Sequence, residues 1–289
     1  MKLLSLNAAS GRDIRSGRIG AAGSAALAAA VAEVVAREDV DVVALQEIDR
    51  HLPRSGDRHQ AHDIAAALRE ATGRDFHAHF TAAVLGTPGT SSARPAPPRP
   101  AAGPADPEPG GYGIALLSAL PVLDVRELLM AASSRSMPAL LANEGSPHRL
   151  VTIPDEQRAA VVAVLDSAAG PVTVVVTHLS FVVPRSIRQA RRLRAELADL
   201  PRPLVLAGDL NQPPFLVRRV LPWTPLARGA TFPSPAPRIQ LDHVLLDAPD
   251  LDVTLPPAQI LRVGGSDHRG LLVEVPLSPS PSPPPRAGR

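Results

Sequence analysis

Polar residues suited to metal or phosphate chemistry recur at the ends of short apolar runs in this chain. Leu3–Leu6 is followed by Asn7, and Val40–Leu45 by Gln46-Glu47. Val172–Val176 leads into Thr177-His178, and Leu204–Ala207 into Gly208-Asp209-Leu210-Asn211. Asp242 stands in the run Leu241–Leu246, and Asp267-His268 comes shortly before Leu271–Val275. Taken singly, each has an ordinary explanation as a cap, a solvated strand end or an Asx-type turn. Their accumulation at element edges is what points to a site, because rigid strands aim the loops that follow them.

The residue types are those that phosphate-ester hydrolysis requires. Such esters resist attack because the phosphorus centre is already anionic. A hard divalent cation held by oxygen ligands relieves that repulsion. Glu47 is the leading ligand, with the amide oxygen of Asn7 beside it and Asp267 adding a carboxylate. Asp209 and Asn211, two positions apart, suit a tight turn that aims both the same way. Asp209 would orient the attacking water and Asn211 would donate to a phosphate oxygen. His268 suits a general base or a stabiliser of developing charge, and His178 a contact to a non-bridging oxygen or the leaving group. Which of His268 and Asp209 activates the water is left open by the residues alone.

The elements that must position these groups alternate between short apolar runs and helix-period segments. Ser24 to Arg37 predicts a helix with Leu27, Val31, Val34 and Val35 on one face and Ser24 as N-cap. Ala61 to Ala71 predicts a second helix, ended by Gly73. Ser186 to Leu200 predicts a third, with Ile187, Ala190, Leu193 and Leu197 inward and Arg188, Arg191, Arg192 and Arg194 toward solvent. Strands are expected at Ile114–Leu117 and Val122–Leu129, broken at Pro121. A strand pair at Ala159–Leu165 and Val172–Thr177 would turn at Ala169-Gly170-Pro171. The mixture predicts a layered α/β protein.

Composition sets further bounds. The chain has 289 residues, a hydrophobic fraction of 45% and 33 prolines. Pro88 to Pro109 and Pro276 to Arg289 lack apolar periodicity and are expected to be disordered. One catalytic domain over residues 1–276, with a Pro-rich loop at 86–111 and a tail at 277–289, is the expected organisation. The pI near 9.8 overstates the basicity, since the formal net charge is +2. Aromatic residues make up 2% of the chain, so a multi-base stacking platform is not expected. With no cysteine, disulfides, thiol nucleophiles and Cys-based zinc sites are excluded. No stretch has the makings of a membrane-spanning helix or a signal-peptide core, and a cytoplasmic monomer is the default expectation.

In order and spelling, Leu6-Asn7, Leu45-Gln46-Glu47, Thr177-His178-Leu179, Gly208-Asp209-Leu210-Asn211, Leu241-Asp242-His243-Val244 and Ser266-Asp267-His268 resemble the endonuclease/exonuclease/phosphatase (DNase-I-like) superfamily. The resemblance spans nearly the whole chain. It implies a four-layer α/β sandwich, two packed mixed sheets flanked by helices, with the active site at one edge. It also implies Mg²⁺ or Mn²⁺ as cofactor and a phosphodiester or phosphomonoester as substrate, whether nucleic acid, phospholipid head group or small molecule. Asp242 would then orient His268, as a buried carboxylate fixes a histidine's tautomer and raises its pKa.

Several positions depart from the family pattern. Leu6 stands where many members have an aromatic, Ile114 near a substrate-contacting Asn, and Ala119 near a basic residue. Weaker candidates for substrate contact are Arg50, Arg54, Tyr112 and Arg158. The pairs His59/His62 and His77/His79 have no evident acidic partner for a metal. Two competing expectations are a catalytically silent binding module of the same fold and an interaction protein that uses its Pro-rich loop.

Overall fold

A computed structural model describes residues 1–99, 108–132, 136–141, 149–249, 255 and 257–277. In chain order the elements are β1 (Lys2–Asn7), α1 (Ala21–Glu38), β2 (Val42–Arg50), α2 (Gln60–Thr72), β3 (His77–Leu85), β4 (Arg94–Pro95), β5 (Gly111–Ser118), β6 (Val122–Met130), β7 (Ser136–Leu141) and β8 (Arg149–Pro154). There follow β9 (Arg158–Ser167), β10 (Gly170–His178), α3 (Val183–Glu196), β11 (Leu204–Asp209), α4 (Pro214–Val220), β12 (Thr224–Pro225), β13 (Asp242–Asp247), β14 (Gln259–Leu261) and β15 (Gly270–Glu274). One sheet has the order β14-β15-β1-β2-β5-β3-β4, the other β12-β13-β11-β10-β9-β6, and β7 pairs with β8 separately. Both large sheets are mixed. β1 runs parallel to β2 and antiparallel to β15, while β10 runs parallel to β11 and antiparallel to β9.

The apolar runs are continuous because both faces of the central strands are buried. Alternate side chains of β1 and β2 part company. Leu3, Val42 and Ala44 face the second sheet and pack with Val174, Val176 and Val205. Leu4, Leu6, Val43 and Leu45 face the other way, against Leu27, Val31 and Val35 of α1 and Ile64 and Leu68 of α2. Across the second sheet, Val162, Val175 and Leu206 pack under Ala190 and Leu193 of α3 and Val217 of α4. The layers are therefore α1/α2, sheet, sheet and α3/α4, the expected four-layer sandwich. Each fully buried leucine contributes roughly 1.5–3 kcal/mol, so the strands are anchored firmly enough to hold polar groups rigidly at their ends.

Some local expectations change. α1 begins at Ala21 behind Gly20, so Ser24 is not its N-cap. Ser24 is buried in the first turn, where its Oγ donates to Ser55 O (2.9 Å) and accepts from Gln60 Nε2 (2.9 Å). Gly73 does end α2, in the left-handed conformation that glycine adopts freely (φ 70°). The strands on either side of Pro121 are β5 and β6, which lie in different sheets, so this break carries the chain from one sheet to the other.

The described part of the Pro-rich stretch, expected to be disordered, is tied to the fold. Arg94 and Pro95 pair with Leu85 and Val84, and Gln157 Nε2 donates to Ala83 O and Ala96 O. Residues 100–107, and the tail beyond residue 277, lie outside the described residues. Among the described residues, no helix is long and apolar enough to cross a membrane.

Candidate active site

Strand direction explains why distant residues meet. β10 and β11 run parallel and end together, with His178 in register with Asp209. β13 runs antiparallel to β11, so its first residue, Asp242, pairs with Asp209. β15 runs antiparallel to β1, so Asp267-His268, just ahead of β15, falls beside the end of β1. Ser266 ties the two together. Its Oγ donates to Asn7 O (2.6 Å) and accepts from His268 N (3.0 Å).

Asn7 bridges the two sheets. It is fully buried, and its Nδ2 donates to Glu47 Oε1 (3.0 Å) and to Asp209 Oδ2 (3.1 Å). Its Oδ1, the atom expected to ligate a cation, accepts from Ala9 N (3.1 Å). As oriented here, Asn7 is a donor between carboxylates. Glu47 sits on a β-bulge, where the pairing of β2 with β5 shifts between Gln46 and Ile48. Its φ of 53° is unusual for a non-glycine residue, a strain of order 1–3 kcal/mol that is found where a side chain is re-aimed.

His268 Nδ1 lies 2.9 Å from Asp242 Oδ2, and its Nε2 lies 3.8 Å from Asp209 Oδ2. Burial alone would lower the pKa of His268. The Asp242 carboxylate overrides it by charge and hydrogen bond, helped by Asp209 and Asp267, and raises it to about 10. The imidazole is thus held as a cation. Asp209 is raised to about 7, first by burial and then by the charge of Asp242. His178 is pushed well below its ordinary value by burial, then by Arg158 and His268. It is therefore neutral. Asn211 Nδ2 lies 3.1 Å from its Nε2 and donates to Leu179 O (3.0 Å), so Nε2 is the acceptor and Nδ1 carries the proton.

The raised pKa of Asp209 has a consequence for stability. Its ordinary value is 3.8, so ionising it costs the fold nothing below that pH. The cost grows as pH rises toward about 7 and is complete above it. Asp209→Asn should therefore raise the thermal unfolding midpoint in EDTA at pH 8, and raise it less at pH 5. A lower midpoint, or an equal gain at both pH values, would contradict this account.

The weaker candidates divide. The buried Arg158 lies against His178, with Nη1 3.3 Å from either ring nitrogen. Its Nε has no hydrogen-bond partner. Tyr112 is buried, with Arg54 stacked 5.3 Å from its ring. Burial, then the charge of Glu47, holds its hydroxyl protonated. Arg54 is engaged with buried Asp49, through Nε and Nη2 at 2.8 Å each. Arg50 is occupied elsewhere. Its guanidinium meets Glu108 at 2.9 Å and donates to Pro109 O, so it clamps the end of the Pro-rich stretch. Asp267 is half-buried, and among the described residues its side chain makes no hydrogen bond or ion pair, though its charge reaches His268.

Some neighbours escaped the sequence reading. Glu156, two residues before Arg158, lies among Arg158, Glu47 and Arg54, and burial raises its pKa. A carboxylate beside Arg158 at a strand start was the available signal. The Phe232 ring lies 4.9 Å from that of His268, and it comes from a loop whose spelling carries no hint of this.

Asp209, Asp242 and His268 offer ligand atoms within 4.8 Å of one another, so this buried group could hold a metal ion. Asp242 Oδ1 is buried without a hydrogen-bond partner, and with Glu47 the carboxylates outnumber the one local imidazolium. That excess of oxygen donors and negative charge fits a hard cation. A sequence model of the Endonuclease/Exonuclease/phosphatase family matches residues 4–268. The chain belongs to that family. Family members hydrolyse phosphate esters, typically with a divalent metal, and the Gly-Asp-x-Asn and Ser-Asp-His blocks of this member, from different sheets, converge on Asn7 at one edge of the sandwich.

Solved structures agree on the fold. A family protein from Leptotrichia buccalis superposes with a TM-score of 0.62 at 13% identity, covering 95% of this chain and 98% of that one. Another from Beutenbergia cavernae gives 0.63 at 19%, covering 94% and 70%. A Bacteroides thetaiotaomicron protein described as a mannosyl-6-phosphatase gives 0.58 at 12%, covering 95% and 98%. No curated protein matches the sequence.

Proposed function

We propose that this protein is a Mg²⁺- or Mn²⁺-dependent hydrolase that cleaves a phosphodiester or phosphomonoester by direct attack of water. The observation that carries the reading is the contact of Asn7 with both Glu47 and Asp209, beside the Asp242–His268 pair. Glu47 and Asp267 would hold the cation, with Asn7 setting the position of Glu47. His268 is less suited as a ligand while its imidazole is protonated, because a cationic ring has no free lone pair. When bound, the cation supplies Lewis-acid neutralisation of the phosphoryl oxygens.

The chain's own groups divide the remaining work. Asp209, with a pKa near the operating pH, is the group suited to orient the water and accept its proton. His268, held cationic by Asp242, faces the negative charge that grows on the phosphoryl group. Neutral His178, its Nε2 held as an acceptor by Asn211, would donate through Nδ1–H to a non-bridging or leaving oxygen, and Asn211 would do so only by releasing His178 or Leu179 O. Arg158, buried with no carboxylate at ion-pair distance among the described residues and only the more distant charge of Glu156 nearby, supplies a positive charge that a phosphate would satisfy. Tyr112 and Arg54, both close enough to Glu47 to feel its charge, would contact the substrate beside it.

The test is a panel of duplex and single-stranded nucleic acid, phospholipid and sugar phosphates; the structural likeness to a mannosyl-6-phosphatase is the reason for including the sugars. Turnover of at least one class is expected, abolished by EDTA and restored by Mg²⁺ or Mn²⁺. Tight capture of an ester with no metal-dependent turnover anywhere on the panel would favour the silent binding module instead.

A further inference from the structure

The helical layer over the second sheet carries far more positive charge than the chain as a whole. α3 and α4 together hold seven arginines against one glutamate, a net of +6, while the whole chain is only +2. Arg188, Arg191, Arg194, Arg218 and Arg219 are all exposed. Among the described residues none of the five has an ion-pair partner; on these helices only Arg192 does, with Glu196 at 3.6 Å. The two helices form one surface, since Arg194 Nη1 reaches Val220 O at the end of α4. Their apolar sides are spent on the core, so the basic side is left facing outward. A solvated face explains scattered charges, but not this concentration of one sign, which raises self-repulsion without any internal partner.

The same face carries an apolar projection. Phe215, at the start of α4, is 54% exposed. The exposed uncharged positions on the two helices are Pro184, Ala195 and Phe215. Surfaces that grip nucleic acid mix cations with hydroxyl and amide side chains that reach phosphate, sugar and base edges, and this face has none exposed. Exposed arginines on the two helices, Arg218 and Arg219 among them within about one turn of the exposed Phe215, match a lipid interface, where apolar insertion and attraction to anionic headgroups act together.

We propose that the α3–α4 face docks this protein on an anionic phospholipid surface. Both helices start just after site residues, α3 after His178 and α4 after Asn211, so Phe215 lies on the side of the layer nearest the cleft. Docking would set the site beside the bilayer. The attachment itself does not depend on the hydrolase reading.

The full chain should co-sediment with phosphatidylcholine vesicles containing phosphatidylglycerol, and not with phosphatidylcholine alone, and added salt should weaken the binding. Arg188→Ala combined with Arg191→Ala should weaken it by about 30-fold, and Phe215→Ala by roughly tenfold. All three side chains are exposed, so circular dichroism and turnover of a soluble ester should stay at parental levels. Equal sedimentation with neutral and anionic vesicles would overturn the proposal. So would binding to a duplex oligonucleotide as tight as to anionic vesicles, with Phe215→Ala affecting neither.

Discussion

Replacing His268 by alanine is expected to lower the turnover number on any hydrolysed ester by roughly 10²–10⁴-fold, the range of a positioned acid–base or electrostatic group. The expectation rests on isolation from water. The ring is 6% exposed, faces Asp209 through Nε2 and is tied to Asp242 through Nδ1. Asp242→Asn should cost nearly as much, because the amide cannot hold the imidazole as a cation. The double variant should lose little more than either single one, since the two act as a unit. An independent readout is the imidazole titration by NMR. The pKa of His268 should fall from about 10 in Asp242→Asn. Because that value is raised above its ordinary 6.5, the pair stabilises the fold fully below pH 6.5 and loses this contribution as pH rises through about 10. A His268→Ala enzyme that kept a third of parental turnover would end the assignment.

Gly208→Ala should be the most damaging small substitution in the site. Gly208 precedes Asp209 on β11, at a φ of +153°, and an added Cβ would stand 1.8 Å from Thr177 O on β10. That oxygen is backbone in a central strand pair, so no side-chain rotation relieves the overlap. The strands must part at the point where His178 and Asp209 are set side by side. We expect a loss of roughly 3–5 kcal/mol in unfolding free energy, measured by urea denaturation, together with loss of turnover. Gly170→Ala is the control. It also has a positive φ, +103°, but nothing lies within 4 Å of its added Cβ, so about 1 kcal/mol is expected. Equal losses for the two would show that backbone strain, and not close strand approach, dominates at Gly208.

Much of the fold was legible because burial on both faces leaves a plain mark. Runs such as Leu3–Leu6 and Val172–Val176, each with a single hydroxyl residue (Ser5, Thr173), lack apolar–polar alternation because one set of side chains meets the other sheet and the alternate set meets the helices. β3 was far less visible, since it opens with exposed His77 and only partly buried Ala78 and His79. β4 was hidden because a two-residue Arg-Pro pairing leaves no apolar pattern, and the bonds of Gln157 to Ala83 O and Ala96 O beside it come from some sixty residues away.

The site divides along the same line. The types and order of Asn7, Glu47, His178, Asp209, Asn211, Asp242, Asp267 and His268 are set by the chain itself; position at element edges pointed to most of them, and the family resemblance supplied the role expected of Asp242. Their charge states and partners were decided by tertiary structure. Burial and neighbouring charge make His268 a cation and His178 neutral, and they lift Asp209 toward neutrality. Contacts also separate Arg158, left buried with an unpartnered Nε beside His178, from Arg50, consumed by Glu108 and Pro109. Residue identity is local, whereas the field at a titrating group and the partners of a guanidinium come from whatever the fold brings within a few ångströms.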